Sequence, residues 1–275
     1  MTNLEYTFKT DTLFKMLFVK NNDLLKQLVS GLLGIPLESI GEFHVTNPEM
    51  PPELLGDKFC RLDINMTVNG QRLDLEIQVR NEGNYPERTL FNWARLYSTA
   101  LPAGEDYKDL PRTVIINIID FNLFECKEYY SEFQALEVTR HTPLTDKMNL
   151  YFFELNKLPQ EVGTDNMKLL WLTLFNAKTE EELAKIKLME VPVMEQAIRA
   201  YHQITADPEF REMERMREMA RHNEATALRH ARDEGKAEGK AESTLEIARK
   251  MKAAGRPLNE IVEFTGLPVE TIQRM

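Results

Sequence analysis

Two acidic residues in this 275-residue sequence are predicted to face each other across a β-hairpin. Two runs of alternating polar and apolar residues, 61–68 and 71–79, flank the dipeptide Asn69-Gly70. Asn-Gly between alternating runs is the strongest short-range signal for a two-residue type I′ turn, because both central residues need a positive φ. Such a turn fixes the register of the two strands and places Asp63 directly opposite Glu76.

Opposed carboxylates repel each other and are stabilised by a proton or a cation between them. Facing side chains of an antiparallel pair lie roughly 4.5–5.5 Å apart at Cβ. Asp74 and Gln78 fall on the same face of the hairpin and add further oxygen donors. Hard oxygen ligands of this kind suit Mg²⁺ or Mn²⁺. The sequence therefore predicts a divalent-cation site at Asp63 and Glu76.

An ordinary solvated face is the alternative, because antiparallel sheets often expose one side to water. Three features favour the metal site: the acids are directly opposed, other oxygen donors share their face, and a predicted helix follows that could cover it. Other site chemistries lack their patterns. The five histidines do not have metal-ligand spacing, and the sequence contains no Gly-rich phosphate loop and no nucleophile elbow.

The elements that position this hairpin alternate between helix and strand. In chain order they are a helical stretch from residue 11 that includes a helix over 23–33, a strand over 40–46, the hairpin, a helix over 87–101, strands over 113–119 and 149–155, and a helix over 166–175. This order predicts an α/β fold in which helices flank a mixed sheet. The run 113–119 is almost wholly apolar and is typical of a strand that is covered on both faces.

Strand signals end near residue 178, and a helical C-terminal extension is predicted. The expected division is a core domain over 1–177, a helical region with a long charged helix over 178–233, a linker over 234–243 and a small helix-turn-helix-like tail over 244–275. The segment 234–243 repeats Glu-Gly-Lys-Ala. Each glycine costs a helix about 1 kcal/mol relative to alanine, so a linker and a continuous helix both remain open.

Composition restricts the class of protein without choosing a function. The net charge is −10 at pH 7, but residues 211–256 contain 12 basic and 9 acidic residues, so the remaining 22 basic and 35 acidic residues carry the negative excess. An acidic metal-dependent enzyme is compatible with this balance. The sequence has no apolar run long enough to cross a bilayer and its N-terminus is polar, so no membrane partner is expected. The two cysteines are far apart in the sequence, which predicts buried thiols and a cytoplasmic location.

The acidic hairpin also carries a resemblance to a known group of enzymes. The hairpin motif resembles the Asp…(Asp/Glu)-x-Lys core of the PD-(D/E)XK nucleases: Asp63 comes first, the turn follows, and Glu76-Ile77-Gln78 comes last. Further segments are similar to one branch, the recombination-promoting nuclease and transposase (Rpn) family: Asp11-x-x-Phe14-Lys15, the Arg88…Tyr97 helix, Gly104…Tyr107, the Glu-Gly-Lys-Ala repeat and Thr265-Gly266-Leu267.

The resemblance implies a restriction-endonuclease-like fold and a Mg²⁺- or Mn²⁺-dependent DNA endonuclease associated with recombination or mobile elements, without an organic cofactor. It implies catalytic and binding roles for residues as follows: Asp63 and Glu76 as metal ligands, Gln78 at the lysine position, Asp11 as a supporting acid, and Lys15 and Arg88 as phosphate contacts. Two departures matter. Leu62 replaces the usual proline, and Gln78 is a neutral amide that orients a water but cannot take its proton.

Two questions of function stay open at this stage. The enzyme implied by the resemblance competes with a catalytically degenerate module that binds DNA or assembles complexes. The tail either contacts double-stranded DNA or forms a homodimer. Its candidate phosphate contacts are Lys250, Lys252, Arg256 and Arg274.

Overall fold

The Asn69-Gly70 turn forms as predicted in the computed structural model of the chain, which describes residues 2–46, 64–101 and 104–275. Asn69 has a φ of 49° and Gly70 a φ of 75°. The turn joins strand β2 (Ile64–Val68) to strand β3 (Gln71–Gln78). Ile64 pairs with Leu75 and Val68 pairs with Gln71, which is the predicted register.

The hairpin lies inside a six-stranded mixed sheet. The other strands are β1 (Phe43–Val45), β4 (Thr113–Ile119), β5 (Tyr130–Phe133) and β6 (Met148–Glu154). The spatial order is β1-β2-β3-β4-β6-β5, with parallel pairing of β3 to β4 and of β4 to β6 and antiparallel pairing elsewhere. All seven residues of β4 are buried, as expected for a strand covered on both faces. The short edge strand β5 was not predicted.

Among the described residues up to 206, six α-helices accompany the sheet: α1 (Asp11–Val19), α2 (Asn22–Leu33), α3 (Tyr85–Ser98), α4 (Met167–Asn176), α5 (Glu180–Lys187) and α6 (Pro192–Ala206). Local signals explain several of their ends. Gly34 adopts a φ of 67° at the C-terminus of α2, a conformation that glycine takes readily. Thr179 and Glu182 form a capping box that begins α5.

Helix α3 is the element that covers the polar face of the hairpin. It connects β3 to β4 and packs on one side of the sheet, where Tyr85 joins a cluster of buried apolar residues from β4 and β6. Trp93 Nε1 donates to the Thr113 carbonyl at 3.1 Å and ties the middle of α3 to the start of β4. The face that carries the acidic residues is therefore covered by a helix.

The chain divides into two compact units, residues 1–211 and 212–275. This boundary differs from the predicted one after residue 177, because α6 belongs to the first unit. The ring of Tyr201 in α6 stacks on Phe8 with centroids 4.6 Å apart, and its hydroxyl donates to the Tyr6 carbonyl at 2.7 Å. These contacts attach α6, in the middle of the predicted helical region, to the N-terminal segment.

Helix α7 (Pro208–Ala253) extends across the unit boundary as 46 continuous residues. The segment 234–243 is therefore helical, and the expected separate linker is replaced by helix. Extending a helix adds one hydrogen bond per residue, whereas starting a new one is costly, so two internal glycines do not break it. In the second unit α7 is followed by α8 (Leu258–Thr265) and α9 (Val269–Arg274), and these helices bury Ala248, Ile261 and Ile272.

Two remaining expectations concern the cysteines and the membrane. Cys126 is exposed, so its predicted burial was wrong, and Cys60 lies outside the described residues. None of the helices in the described part of the chain has the length and apolar character that a membrane span requires.

Candidate metal and active site

The acidic face of β3 is buried under α3. Asp74, Glu76 and Gln78 alternate along the strand and therefore point to the same side of the sheet. Asp74 is 4% exposed and Glu76 is 5% exposed. A pair of ionised carboxylates is costly to bury unless nearby groups stabilise the charge. This burial is inconsistent with the solvated face that was the alternative interpretation of the hairpin.

Glu76 is held by side chains from α3. Its Oε1 accepts a hydrogen bond from Asn92 Nδ2 at 2.6 Å. Its Oε2 lies 3.4 Å from the Tyr85 hydroxyl and 3.6 Å from a guanidinium nitrogen of Arg88. Both carboxylate oxygens thus have defined partners, which fixes the orientation of the Glu76 side chain.

A buried network extends from Glu76 to the centre of the sheet. The Tyr85 hydroxyl donates to Asn117 Oδ1 at 2.9 Å, and Asn117 Nδ2 donates to the Tyr151 carbonyl at 3.0 Å. Burial, with the nearby Glu76 carboxylate as a smaller cause, raises the pKa of Tyr85 well above its usual value. Tyr85 therefore stays protonated and acts as a hydrogen-bond donor at neutral pH.

Arg88 and Gln78 contact each other directly. Arg88 Nη2 donates to Gln78 Oε1 at 2.8 Å, and Gln78 Nε2 donates to the Arg80 carbonyl at 3.0 Å. Arg88 also lies 3.4 Å from Glu82 Oε2, and its guanidinium carbon is 4.7 Å from the centre of the Tyr85 ring. Arg88 is predicted as a phosphate contact, and in the structure its guanidinium contacts side chains of the protein itself.

The predicted N-terminal site residues lie on α1. Asp11 begins the helix, and Lys15 follows one turn later with a side chain that is 3% exposed. An ion pair fixes the segment before α1 to the sheet, because Lys9 Nζ lies 2.6 Å from Asp120 Oδ2. Asp120 follows β4, and its backbone N–H donates to the Gln78 carbonyl at 3.0 Å. Lys9 and Asp120 are thus joined at the end of β3.

The pairing of Asp63 with Glu76 stays a prediction, because Asp63 lies outside the described residues. The observed pairing of Ile64 with Leu75 has the register on which that prediction depends.

The four predicted phosphate contacts of the tail lie in the second unit. Lys250, Lys252 and Arg256 have partners within their own unit. Lys250 pairs with Glu246 at 2.6 Å, and Arg256 lies 3.7 Å from Glu260. Lys252 Nζ donates to the carbonyls of Ile272 and Gln273 at 2.8 and 3.0 Å. Lys252 therefore caps the C-terminal end of α9, a role that occupies its ammonium group.

Sequence reasoning named Arg88, as a phosphate contact, but missed the other side chains that surround Glu76. Tyr85, Arg88, Thr89 and Asn92 are spaced i, i+3, i+4 and i+7, which places them on one face of a helix. Asn117 is the polar residue inside the apolar run Val-Ile-Ile-Asn-Ile-Ile. A polar stripe on a helix beside a polar residue in a buried strand is a signal that could have located this network.

The donor chemistry of the site fits a divalent cation. In the ranges that the structure describes, no group of three or more His, Cys, Asp or Glu residues is arranged to hold a metal. Asp74 and Glu76 nevertheless supply two buried carboxylates on one face of β3, and hard cations prefer such oxygen ligands. Mg²⁺ needs only one or two carboxylates because it keeps several waters.

Comparison with known proteins identifies a family. The model of a family described as PD-(D/E)XK nuclease family transposase matches residues 8–231, which is more than half of the chain. This range contains the whole sheet and α3, and it ends inside α7, before α8 and α9. The match confirms the resemblance inferred from the hairpin motif. No curated protein and no solved structure matches the chain.

Proposed function

The chain belongs to the PD-(D/E)XK nuclease family transposases, and from this premise we propose that it is a divalent-metal-dependent DNA endonuclease. The reaction is hydrolysis of a phosphodiester bond. The observation that carries the proposal is the buried Glu76 carboxylate, which α3 holds by a 2.6 Å hydrogen bond from Asn92. A carboxylate that is both buried and oriented is what a metal ligand requires.

Glu76 and Asp63 are the proposed ligands of Mg²⁺ or Mn²⁺, with Asp74 on the same face of β3. A bound divalent ion lowers the pKa of a coordinated water and neutralises charge on the scissile phosphate. The protein fixes the Glu76 side chain through Asn92 and excludes water from its surroundings with α3.

Gln78 has a more limited role in this proposal. Its amide is held at both ends, by Arg88 and by the Arg80 carbonyl. It can orient a water through its remaining hydrogen-bonding capacity. A neutral amide cannot accept the proton of that water, so the proton would have to pass to solvent.

Double-stranded DNA is the proposed substrate, and the family description connects the chain to transposition. The family resemblance assigns Lys15 to the phosphate and Asp11 to a supporting role, but Lys15 is buried, so direct contact with DNA would require a local rearrangement around α1. A homodimer would place two such sites against the two strands of a duplex. The tail is proposed to contribute to DNA contact or to dimer formation through its own unit.

A catalytically degenerate DNA-binding or assembly module is the second candidate. The observation that favours it is the state of Gln78, which is neutral and is hydrogen-bonded to Arg88 and to the Arg80 backbone. In that case the buried acids would serve the stability of the fold, and the chain would bind DNA without cutting it.

The deciding assay is nicking of supercoiled plasmid in Mg²⁺ or Mn²⁺. Asp63→Ala and Glu76→Gln should each lower the rate about a hundredfold or more, because each removes a negatively charged metal ligand. Glu87→Gln is the matched control, since Glu87 is an exposed acid on α3. Equal rates for wild type and Asp63→Ala would reject the enzyme, and retained DNA binding without nicking would support the second candidate.

A further inference from the structure

Arg88 places a positive charge at the proposed metal ligand. A guanidinium nitrogen lies 3.6 Å from Glu76 Oε2, and the side chain of Arg88 is only 15% exposed. Glu76 itself is buried under α3. A buried carboxylate is unstable without a compensating charge, and Arg88 supplies one.

The contact between Arg88 and Glu76 is an ion pair without a good hydrogen bond. Its 3.6 Å distance exceeds the usual N–H···O range of 2.7–3.2 Å. The hydrogen bond of the same nitrogen goes to Gln78 Oε1 at 2.8 Å. In the part of the chain that the structure describes, Arg88 Nε is buried without an acceptor. The guanidinium is therefore anchored at Gln78 while its interaction with Glu76 is mainly Coulombic.

A cation in this position opposes a second cation at the same carboxylate. The Coulombic repulsion between two cations grows with their charges and with burial, so a divalent ion is opposed more strongly than a monovalent one. Partial exposure of Arg88 reduces the repulsion. The repulsion remains large enough to change the affinity of Glu76 for a metal.

We propose that Arg88 is the resident cation of the Glu76 site, neutralising the carboxylate in the metal-free protein and competing with the divalent ion for it. This inference rests on the proposed function, because it assumes that Glu76 binds a metal. Arg88 is then a positioning residue that regulates metal loading, and DNA cleavage requires enough divalent ion to outcompete it.

Calorimetric titration of the full chain with MnCl₂, in the absence of DNA, tests this inference. Arg88→Met removes the charge and keeps much of the side-chain volume, so Mn²⁺ should bind about tenfold more tightly than to wild type. Arg88→Lys keeps the charge and should bind with an affinity close to that of wild type. Arg95→Met removes an exposed arginine from the same helix and should also match wild type. Thermal unfolding without metal identifies any variant that fails to fold.

The outcomes separate this inference from the proposed function. Weaker or unchanged Mn²⁺ binding by Arg88→Met, in a protein whose wild type binds Mn²⁺, would overturn the competition and leave the metal site standing. If Arg88→Lys bound as tightly as Arg88→Met, packing rather than charge would be responsible and the inference would fail. Absence of binding in every variant would reject both, whereas binding by Arg88→Met alone would support the competition and count against a metal-loaded native enzyme.

Discussion

Asn92 and Glu76 are 16 residues apart in the sequence, and their side chains meet at 2.6 Å between α3 and β3. The donor is a neutral amide, so it orients the carboxylate without cancelling its charge. Arg88, one turn earlier on the same helix, brings the positive charge. Helix α3 thus presents a donor that fixes Glu76 and a cation that compensates it, and these two effects can be separated by mutation.

Asn92→Ala should weaken both the fold and the metal site. The substitution removes the donor to a buried carboxylate, which costs about 1–3 kcal/mol of unfolding free energy. Urea unfolding measures the stability, and Mn²⁺ titration should show weaker binding because Glu76 is no longer oriented. Ser98→Ala, at an exposed position on α3, is the control and should change neither quantity. Unaltered metal binding by Asn92→Ala would show that Glu76 does not need this donor.

Tyr85 and Asn117 should be energetically coupled. The Tyr85 hydroxyl donates to Asn117 Oδ1 at 2.9 Å in a buried site. Asn117→Ala removes the donor to the Tyr151 carbonyl and the nearer acceptor of the Tyr85 hydroxyl, which is left with its longer 3.4 Å contact to Glu76, and it should cost about 2–4 kcal/mol. Tyr85→Phe removes the hydroxyl, so the double variant should be less destabilised than the sum of the single variants by about 1 kcal/mol. Strict additivity in urea unfolding would contradict the coupling.

The sequence predicts those parts of the site that depend on local signals. Asn69-Gly70 and the alternation of the flanking strands suffice to predict the hairpin register and the common face of Asp74, Glu76 and Gln78. The strand 113–119 is equally clear because its apolar run is uninterrupted except at Asn117. These predictions hold because turn geometry and side-chain alternation are properties of neighbouring residues.

The rest depends on tertiary contacts. The network around Glu76 joins α3 to β4, and hydrophobic patterning gives no direct measure of such polar pairing. The edge strand β5 is only four residues long and contains Ser131 and Glu132, so it lacks a strand pattern. Glycine propensity alone does not decide between a linker and a helix over 234–243, whereas helix cooperativity along α7 makes this segment helical.

Lys252→Met should loosen the last helix of the tail. The ammonium group donates to the carbonyls of Ile272 and Gln273 in the last turn of α9. Carbonyls in the last turn of a helix have no donor within the helix, so Lys252 supplies one. Loss of these charge-assisted bonds should cost about 1–2 kcal/mol and speed amide hydrogen exchange over 269–275. Lys250→Met is the matched control, because Lys250 pairs with exposed Glu246 and should contribute little.

The Lys250→Met variant also tests the DNA role of the tail. If Lys250 contacts phosphate, Lys250→Met should weaken DNA binding and reduce its dependence on salt concentration without altering exchange over 269–275. Equal salt dependence in wild type and Lys250→Met would remove Lys250 from the predicted contacts.

Alanine at either glycine of the repeated segment should stabilise α7. Gly235 and Gly239 lie inside the helix, and among the described residues an added Cβ at either position would meet no atom within 4 Å beyond its chain neighbours and the helix's own nearby backbone. Each substitution should therefore strengthen the helix by about 1 kcal/mol and slow amide exchange over 230–245.

Gly255 provides the contrast, because its φ of 72° just after the end of α7 disfavours any side chain. Gly255→Ala should destabilise the second unit by about 1 kcal/mol. Unchanged exchange in Gly235→Ala and Gly239→Ala would contradict a continuous helix and favour the linker.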